Sequence, residues 1–381
     1  MMRPTRLRAI ALFAGTLATG GVKADPCAQP GQWYDPDSGD THTTAEVIEA
    51  VGDSPFILLG ERHDDAEHHR WQTHTLAALH GRQPIGAVGF EMLPRAKQPA
   101  LDDWVAGELR AEDFLEAADW PRVWGFDADF YLPLFHFTRM HRLPTVAMNV
   151  DRSVVRAVRE RGWDALEEAE REGVSEPAGA SDDYREHLRQ AFRRHPGIGD
   201  AEDDEALDGF VAAQTFWDRA MAEALAKAHE SNGGPVIGIV GRGHAEYGYG
   251  IPHQLADLGY EDVQVLLPHT AGDDCPEPGK ADFVFALEPD TADPQPPRMG
   301  IAMEEHEDGI TILDVLEGTP AEAAELRAGD RIVRAAGESI ERPADMQRIV
   351  EETPPGRWLP LKITRDGKEK EKIVHFPPRG D

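Results

Sequence analysis

The sequence predicts an α/β fold, a mainly parallel sheet flanked by helices, followed by a small β-rich domain. Three observations carry that expectation. Strand-like and helix-like patterns alternate from residue 25 to about 275, the signature of a layered α/β domain. Three of the strand-like runs end in side chains able to bind a metal or move a proton. A Pro-, Asp- and Glu-rich break then precedes a second series of short strand patterns. At 381 residues the chain exceeds one typical domain, and two are expected.

Taken in order, residues 1–24 have the pattern of a secretory signal. Arg3, Arg6 and Arg8 form a basic start, Ala9 to Val22 an apolar run, and Val22-Lys23-Ala24 a small-X-small cleavage site. The apolar run is too short for a transmembrane helix. A periplasmic or secreted product is therefore expected. Cys27 and Cys275 are the only cysteines, and in an oxidising compartment they can form one disulfide. The Ala24-Asp25-Pro26 lead-in to Cys27 does not resemble a lipid-attachment signal.

Strands are predicted over 56–60, 86–91, 144–148, 235–240 and 262–267, from short β-branched, apolar runs bounded by turn residues. Helices are predicted over 65–80, 95–107, 129–141, 151–161 and 204–230. The last has Phe210, Ala213, Phe216 or Trp217, and Met221 at helical spacing. The highly charged stretch between Trp163 and Glu205 reads as an insertion over one side of the core. Residues 276–298 read as an acidic, Pro-rich linker, and 299–378 as the second domain, so the first spans 25–275.

The formal charge of −31 argues against a nucleic-acid surface, since neutralising phosphates requires an excess of Lys and Arg. No Walker loop, G-x-S-x-G elbow or H-E-x-x-H motif is present. What the first domain does carry is a set of strand-end groups. Phe56-Ile-Leu-Leu runs into Gly60-Glu61-Arg62-His63, Gly86-Ala-Val-Gly-Phe into Glu91, and Pro235 to Val240 into Gly241-Arg-Gly-His244. Open α/β sheets bind ligands at the carboxyl ends of their strands, which points to one shared site. His63 and His244 with Glu61 or Glu91 make a two-His, one-carboxylate set suited to a divalent metal with an open position. The same groups also suit general-base activation of water. His69, near the start of the first long helix, is a further candidate to touch ligand, whereas His68, His74 and His80 are assigned to packing or solvated faces.

The runs GERHDDAEHHRWQTHTLAAL, GFEMLPRAKQPALDDW and GRGHAEYGYGIP, in that order, resemble the ChaN-like haem-binding family of the Tiki and erythromycin-esterase-like superfamily. Trp124, Phe130-Tyr131, Ala147-Met148-Asn149, Gln214 to Asp218 and Met221-Ala222 extend the resemblance over roughly 45–270. It implies haem binding in iron uptake or handling, with a tyrosine as axial ligand. Tyr247 and Tyr249, in a glycine-flanked loop, are the candidates, since tyrosinate suits ferric haem. Haem on a solvent-open face would bury more of the macrocycle between two copies, which makes a homodimer a natural expectation. The superfamily's hydrolytic branches imply instead a metal-dependent peptidase or esterase using Glu61, His63, Glu91 and His244. A third reading is a non-catalytic periplasmic adaptor.

The run from GITILDVLEGTPAEAAELRAGDRIVRAAGESI to the end of IVHF resembles a bacterial PDZ domain. The resemblance implies a strand at 310–315, a helix near 343–352, a hairpin turn at Arg365-Asp366-Gly367-Lys368, and capture of a partner's C-terminal peptide at a sheet edge. Met299-Gly300-Ile301-Ala302 is then the carboxylate loop. Glu325 departs from the pattern, because such modules usually carry Gly there.

Overall fold

The computed structural model describes residues 27–193, 204–289, 298–306 and 309–378. The expected signal segment, residues 1–24, lies outside the described residues.

The first sheet has eight strands: β1 (Trp33–Tyr34), β2 (Thr41–His42), β3 (Phe56–Glu61), β4 (Ala87–Pro94), β5 (Thr145–Asn149), β6 (Val236–Gly241), β7 (Val263–Thr270) and β8 (Phe283–Leu287). Their order is β2-β1-β8-β7-β3-β6-β4-β5, and from β8 to β5 all neighbours are parallel. The β1–β2 hairpin adds an antiparallel edge to β8. Each of the five strands expected from the sequence forms, within three residues of its boundaries. The sixth parallel strand, β8, falls inside the stretch expected as linker. Its FVFAL pattern buries Val284 and Ala286, but Pro, Asp and Glu on either side dominate the composition. Residues 290–297 of that stretch lie outside the described residues.

A sheet covered on both faces should have strands that are apolar throughout. That is the case here. Ile57 and Leu59 of β3, with Ile237 and Ile239 of β6, face a core built with α1 (Thr44–Val51), α2 (Ala66–Arg82), α3 (Gln98–Ala106), α4 (Ala111–Ala118), α5 (Trp120–Val123) and α6 (Ala128–His141). Phe56, Leu58, Val236 and Val240 face the opposite core. That side is closed by α7 (Arg152–Arg161), α8 (Asp182–Arg193), α9 (Asp204–Asn232) and α10 (Ile251–Asp257). The charged insertion thus contains α8, whose Tyr184, Leu188 and Phe192 are buried against Leu207 and Val211 of α9. Cys27 and Cys275 form a disulfide across 248 positions.

The second domain is an antiparallel sheet: β9 (Ile301–His306), β10 (Gly309–Val315), β11 (Arg331–Ala335), β12 (Glu338–Ser339), β13 (Trp358–Arg365) and β14 (Lys368–His375). The order is β14-β13-β11-β10-β9, with β12 paired to β11, and the helices are α11 (Pro320–Ala323) and α12 (Pro343–Glu351). Asp366 and Gly367 both have positive φ, as a two-residue hairpin turn requires. β9 is an edge strand beside α12, which leaves a strand edge and a helix wall for an added peptide strand. Of the four residues expected to form a carboxylate loop, Met299 differs in that its side chain is buried in the domain core.

The two domains touch. Trp358 N–H donates to the Gly125 carbonyl at 2.8 Å, the Asp127 N–H donates to the Gly356 carbonyl, and His375 Nε2 lies 2.5 Å from Asp127 Oδ2. Phe126 and Arg357 form an isolated antiparallel bridge. These ties place the α12–β13 connection beside the carboxyl ends of β3 and β6.

Candidate functional site

Register positions the site. Glu61 pairs with Gly241 at the ends of β3 and β6, and β4 leaves β6 after Phe90, so that Glu91 emerges beside them. The glycines are needed for close approach. A Cβ on Gly241 would stand 2.6 Å from a His63 ring carbon, and one on Gly60 would stand 2.4 Å from the Leu267 side chain.

Two carboxylate-held imidazoles flank Glu91. His63 Nδ1 donates to Glu61 Oε1 at 2.6 Å, and His244 Nδ1 donates to Asp218 Oδ1 at 2.6 Å. Each ring's Nε2 then faces Glu91 Oε1, at 3.9 Å from His63 and 3.6 Å from His244. The other Glu91 oxygen accepts the Gly241 N–H at 2.5 Å, and Asn149 Nδ2 donates to the Glu91 carbonyl at 2.9 Å. Tyr184 O–H donates to the free oxygen of Asp218 at 2.6 Å. The aromatic walls are Trp124, 4.7 Å from the His63 ring, and Trp217, 5.3 Å from that of His244.

The charges follow from these contacts. Burial on its own would lower the His63 pKa, but Glu61, through charge and hydrogen bond, together with Glu91 and Asp64, raises it to about 9. His244 is raised as well, with burial opposed by Glu91 and Asp218. Burial wins at the neighbouring helix. It pushes His68 down to about 3, and the neutral ring's Nδ1 accepts the Arg62 N–H at 2.9 Å. Burial lowers His69 too. Its Nε2 lies 3.3 Å from the His63 carbonyl, and its Nδ1 lies 3.1 Å from Gln72 Oε1. His69 therefore braces the Glu61–His63 turn from behind, and it does not line the cavity. Glu61 Oε2 is buried and has no hydrogen-bond partner.

Above these groups is a cavity of about 340 Å³, lined by Glu61, His63, Gly241, His244 and the loop residues around them, and also by Pro354 and Arg357 of the second domain. Glu61, His63, Glu91 and His244 thus come together as expected. No group of three or more His, Cys, Asp or Glu side chains is arranged to hold a metal ion among the described residues.

Tyr247 and Tyr249 lie outside that cavity. Their rings stack at 5.3 Å, and Tyr249 packs 5.7 Å from Tyr184, so the pair connects to His244 through Tyr184 and Asp218. Burial, with Glu277 and Glu246, raises the Tyr247 pKa, and its hydroxyl donates to Glu277 at 3.4 Å. The half-buried Tyr249 hydroxyl makes no hydrogen bond among the described residues. A tyrosinate donor to ferric haem fits this pair, with Tyr249 the ring whose oxygen is free.

Sequence reasoning assigned no role to Tyr184 or Asp218. Asp218 had a signal: it is an acid on the apolar face of α9, beside Phe216 and Met221. Tyr184 had none, because its helix belongs to a charged insertion.

A sequence model described as "Haem-binding uptake, Tiki superfamily, ChaN" matches residues 47–255, and a PDZ-domain model matches 297–375. Among solved structures, one described as cofacial heme binding to ChaN of Campylobacter jejuni overlies 66% of this chain and 95% of its own, with a TM-score of 0.55 and 22% identity. A curated relative, a putative serine protease HhoA of a Synechocystis species, is 47% identical over 58 residues, so the chain spans only 15% of that relative's length. The match over more than half of the length, on a shared mainly parallel sheet, establishes that the chain belongs to the ChaN haem-binding family of the Tiki superfamily and carries a C-terminal PDZ domain.

Proposed function

We propose that this is an exported protein that binds haem through its α/β domain, in haem or iron uptake or handling, and recruits a partner's C-terminal peptide through its PDZ domain. The observation that carries the reading is membership of the haem-binding family across residues 47–255. The stacked tyrosines support it, with Tyr249 as the iron ligand. Its hydroxyl is free, whereas the carboxylates beside Tyr247 oppose ionisation there. The Cys27–Cys275 disulfide supports an oxidising compartment. A second copy stacked over the exposed haem face supplies the burial that one domain lacks. For the PDZ partner, the edge of β9 takes the peptide backbone and the loop at Gly300 to Ala302 takes its carboxylate.

Purified protein titrated with hemin should develop a saturable, shifted Soret band. Tyr249→Phe should abolish the shift and Tyr247→Phe should largely keep it. An unchanged band in the double variant would reject tyrosine ligation.

One observation favours a second reading, a hydrolase of the same superfamily. Two imidazoles held by carboxylates around Glu91, with a buried Glu61 oxygen that makes no hydrogen bond, are built for proton transfer. Stoichiometric divalent metal in protein purified without haem, with chelator-sensitive ester or peptide hydrolysis and no Soret shift, would select this reading over haem binding.

A further inference from the structure

The cavity over His63 and His244 is completed by the PDZ domain. Pro354 and Arg357 line it although they lie more than a hundred residues beyond His244. Arg357 is anchored there by its backbone bridge to Phe126, and its guanidinium lies 4.7 Å from the centre of the Phe126 ring. The two other guanidiniums at the rim are already paired, Arg62 with Asp64 at 3.7 Å and Arg242 with Glu246 at 3.2 Å. Arg357 has no carboxylate within ion-pair distance among the described residues. It is part-buried, and burial together with the like charge of Arg152 lowers its pKa, with Asp64 opposing. A guanidinium withdrawn from water without a counter-ion is costly, and an oxyanion from a ligand relieves that cost with two parallel hydrogen bonds.

We propose that Arg357, over the cavity above His63 and His244, forms a binding site, shared between the domains, for a small ligand bearing a single carboxylate. The size fits, since 340 Å³ is near the lower end of small-molecule pockets. The charge fits a monoanion. Glu61 and Asp64 line the same cavity, so a more highly charged group such as phosphate would meet those carboxylates as well as Arg357. The site is separate from the tyrosine pair and does not require haem.

The test uses the full-length chain and sodium propionate, with sodium chloride at matched ionic strength as control. Wild type should gain about 2 °C in Tm at a propionate concentration roughly ten times its Kd. Saturation-transfer NMR should show the propionate methyl in contact with protein. Arg357→Gln should lose both signals while keeping the ligand-free Tm. Arg357→Lys should keep a weakened response, because it retains the charge but not the planar fork. Equal responses in wild type and Arg357→Gln, or a larger shift from inorganic phosphate than from propionate, would overturn the proposal. Neither result bears on the Soret titration, so the haem reading stands or falls separately.

Discussion

Glu61 and Asp218 each hold the Nδ1 of a histidine, which decides what the two rings carry near neutral pH. His63 is the clearer case, with its pKa raised to about 9 against an ordinary 6.5. A group that binds its proton more tightly when folded adds stability fully below pH 6.5, and that contribution is lost as pH rises through 9. In Glu61→Gln the partner charge is gone and burial dominates. The His63 titration followed by NMR should then fall well below 9, with Glu91 and Asp64 alone opposing burial, and the stability loss between pH 6.5 and 9 should flatten. A His63 that still titrates near 9 would show that Glu61 is not the cause. His63, Glu91 and His244 were legible because glycine beside a strand-end histidine or glutamate is a local pattern. Asp218 lies on a helix 26 positions before the histidine it orients, and no local pattern encodes that pairing.

Among the elements, Glu325 shows how a departure from a pattern acquires a cost. It sits at φ 55°, in the left-handed region where a side chain is strained and Gly is not. Its carboxylate meets Lys372 at 2.9 Å, but the side chain is largely exposed, so that pair recovers little. Glu325→Gly should raise the urea midpoint of the PDZ domain, since relief of left-handed strain outweighs an exposed pair. A destabilised variant would mean that the Lys372 pair outweighs the backbone strain. The strands expected from the sequence formed because continuous β-branched runs suit a sheet buried on both faces. Two-residue β1 and β2 escaped notice because they are shorter than any period can reveal. β8 escaped because its five residues are set among prolines and acids. Its place in the sheet comes from pairing with β7 and β1.

At the scale of the whole molecule, the Cys27–Cys275 disulfide ties the start of the described chain to the end of the first domain, next to the β1–β8 pairing. Cross-linking over so long a loop restricts the unfolded chain, and its reduction should cost about 5 kcal/mol of unfolding free energy. Thermal melts with and without reductant, compared with Cys27→Ser/Cys275→Ser, would measure it, and coincident melts for oxidised and reduced protein would refute it. Among the described residues no helix is long and apolar enough to cross a membrane.

The linear chain by itself determined the two-domain plan of an α/β layer followed by a small β-rich domain and the strand-end histidines with their glycines, because these depend on composition, short-range period and turn chemistry, while its motifs, through their resemblance to known families, pointed to the PDZ module and the candidate tyrosines. Tertiary structure alone decided which carboxylate holds which imidazole, the separation of the tyrosine pair from the histidine cavity, and the presence of Arg357 over that cavity. Those outcomes depend on which distant segments the packed sheet and the docked PDZ domain bring within hydrogen-bonding reach, and such distances are not written in local sequence.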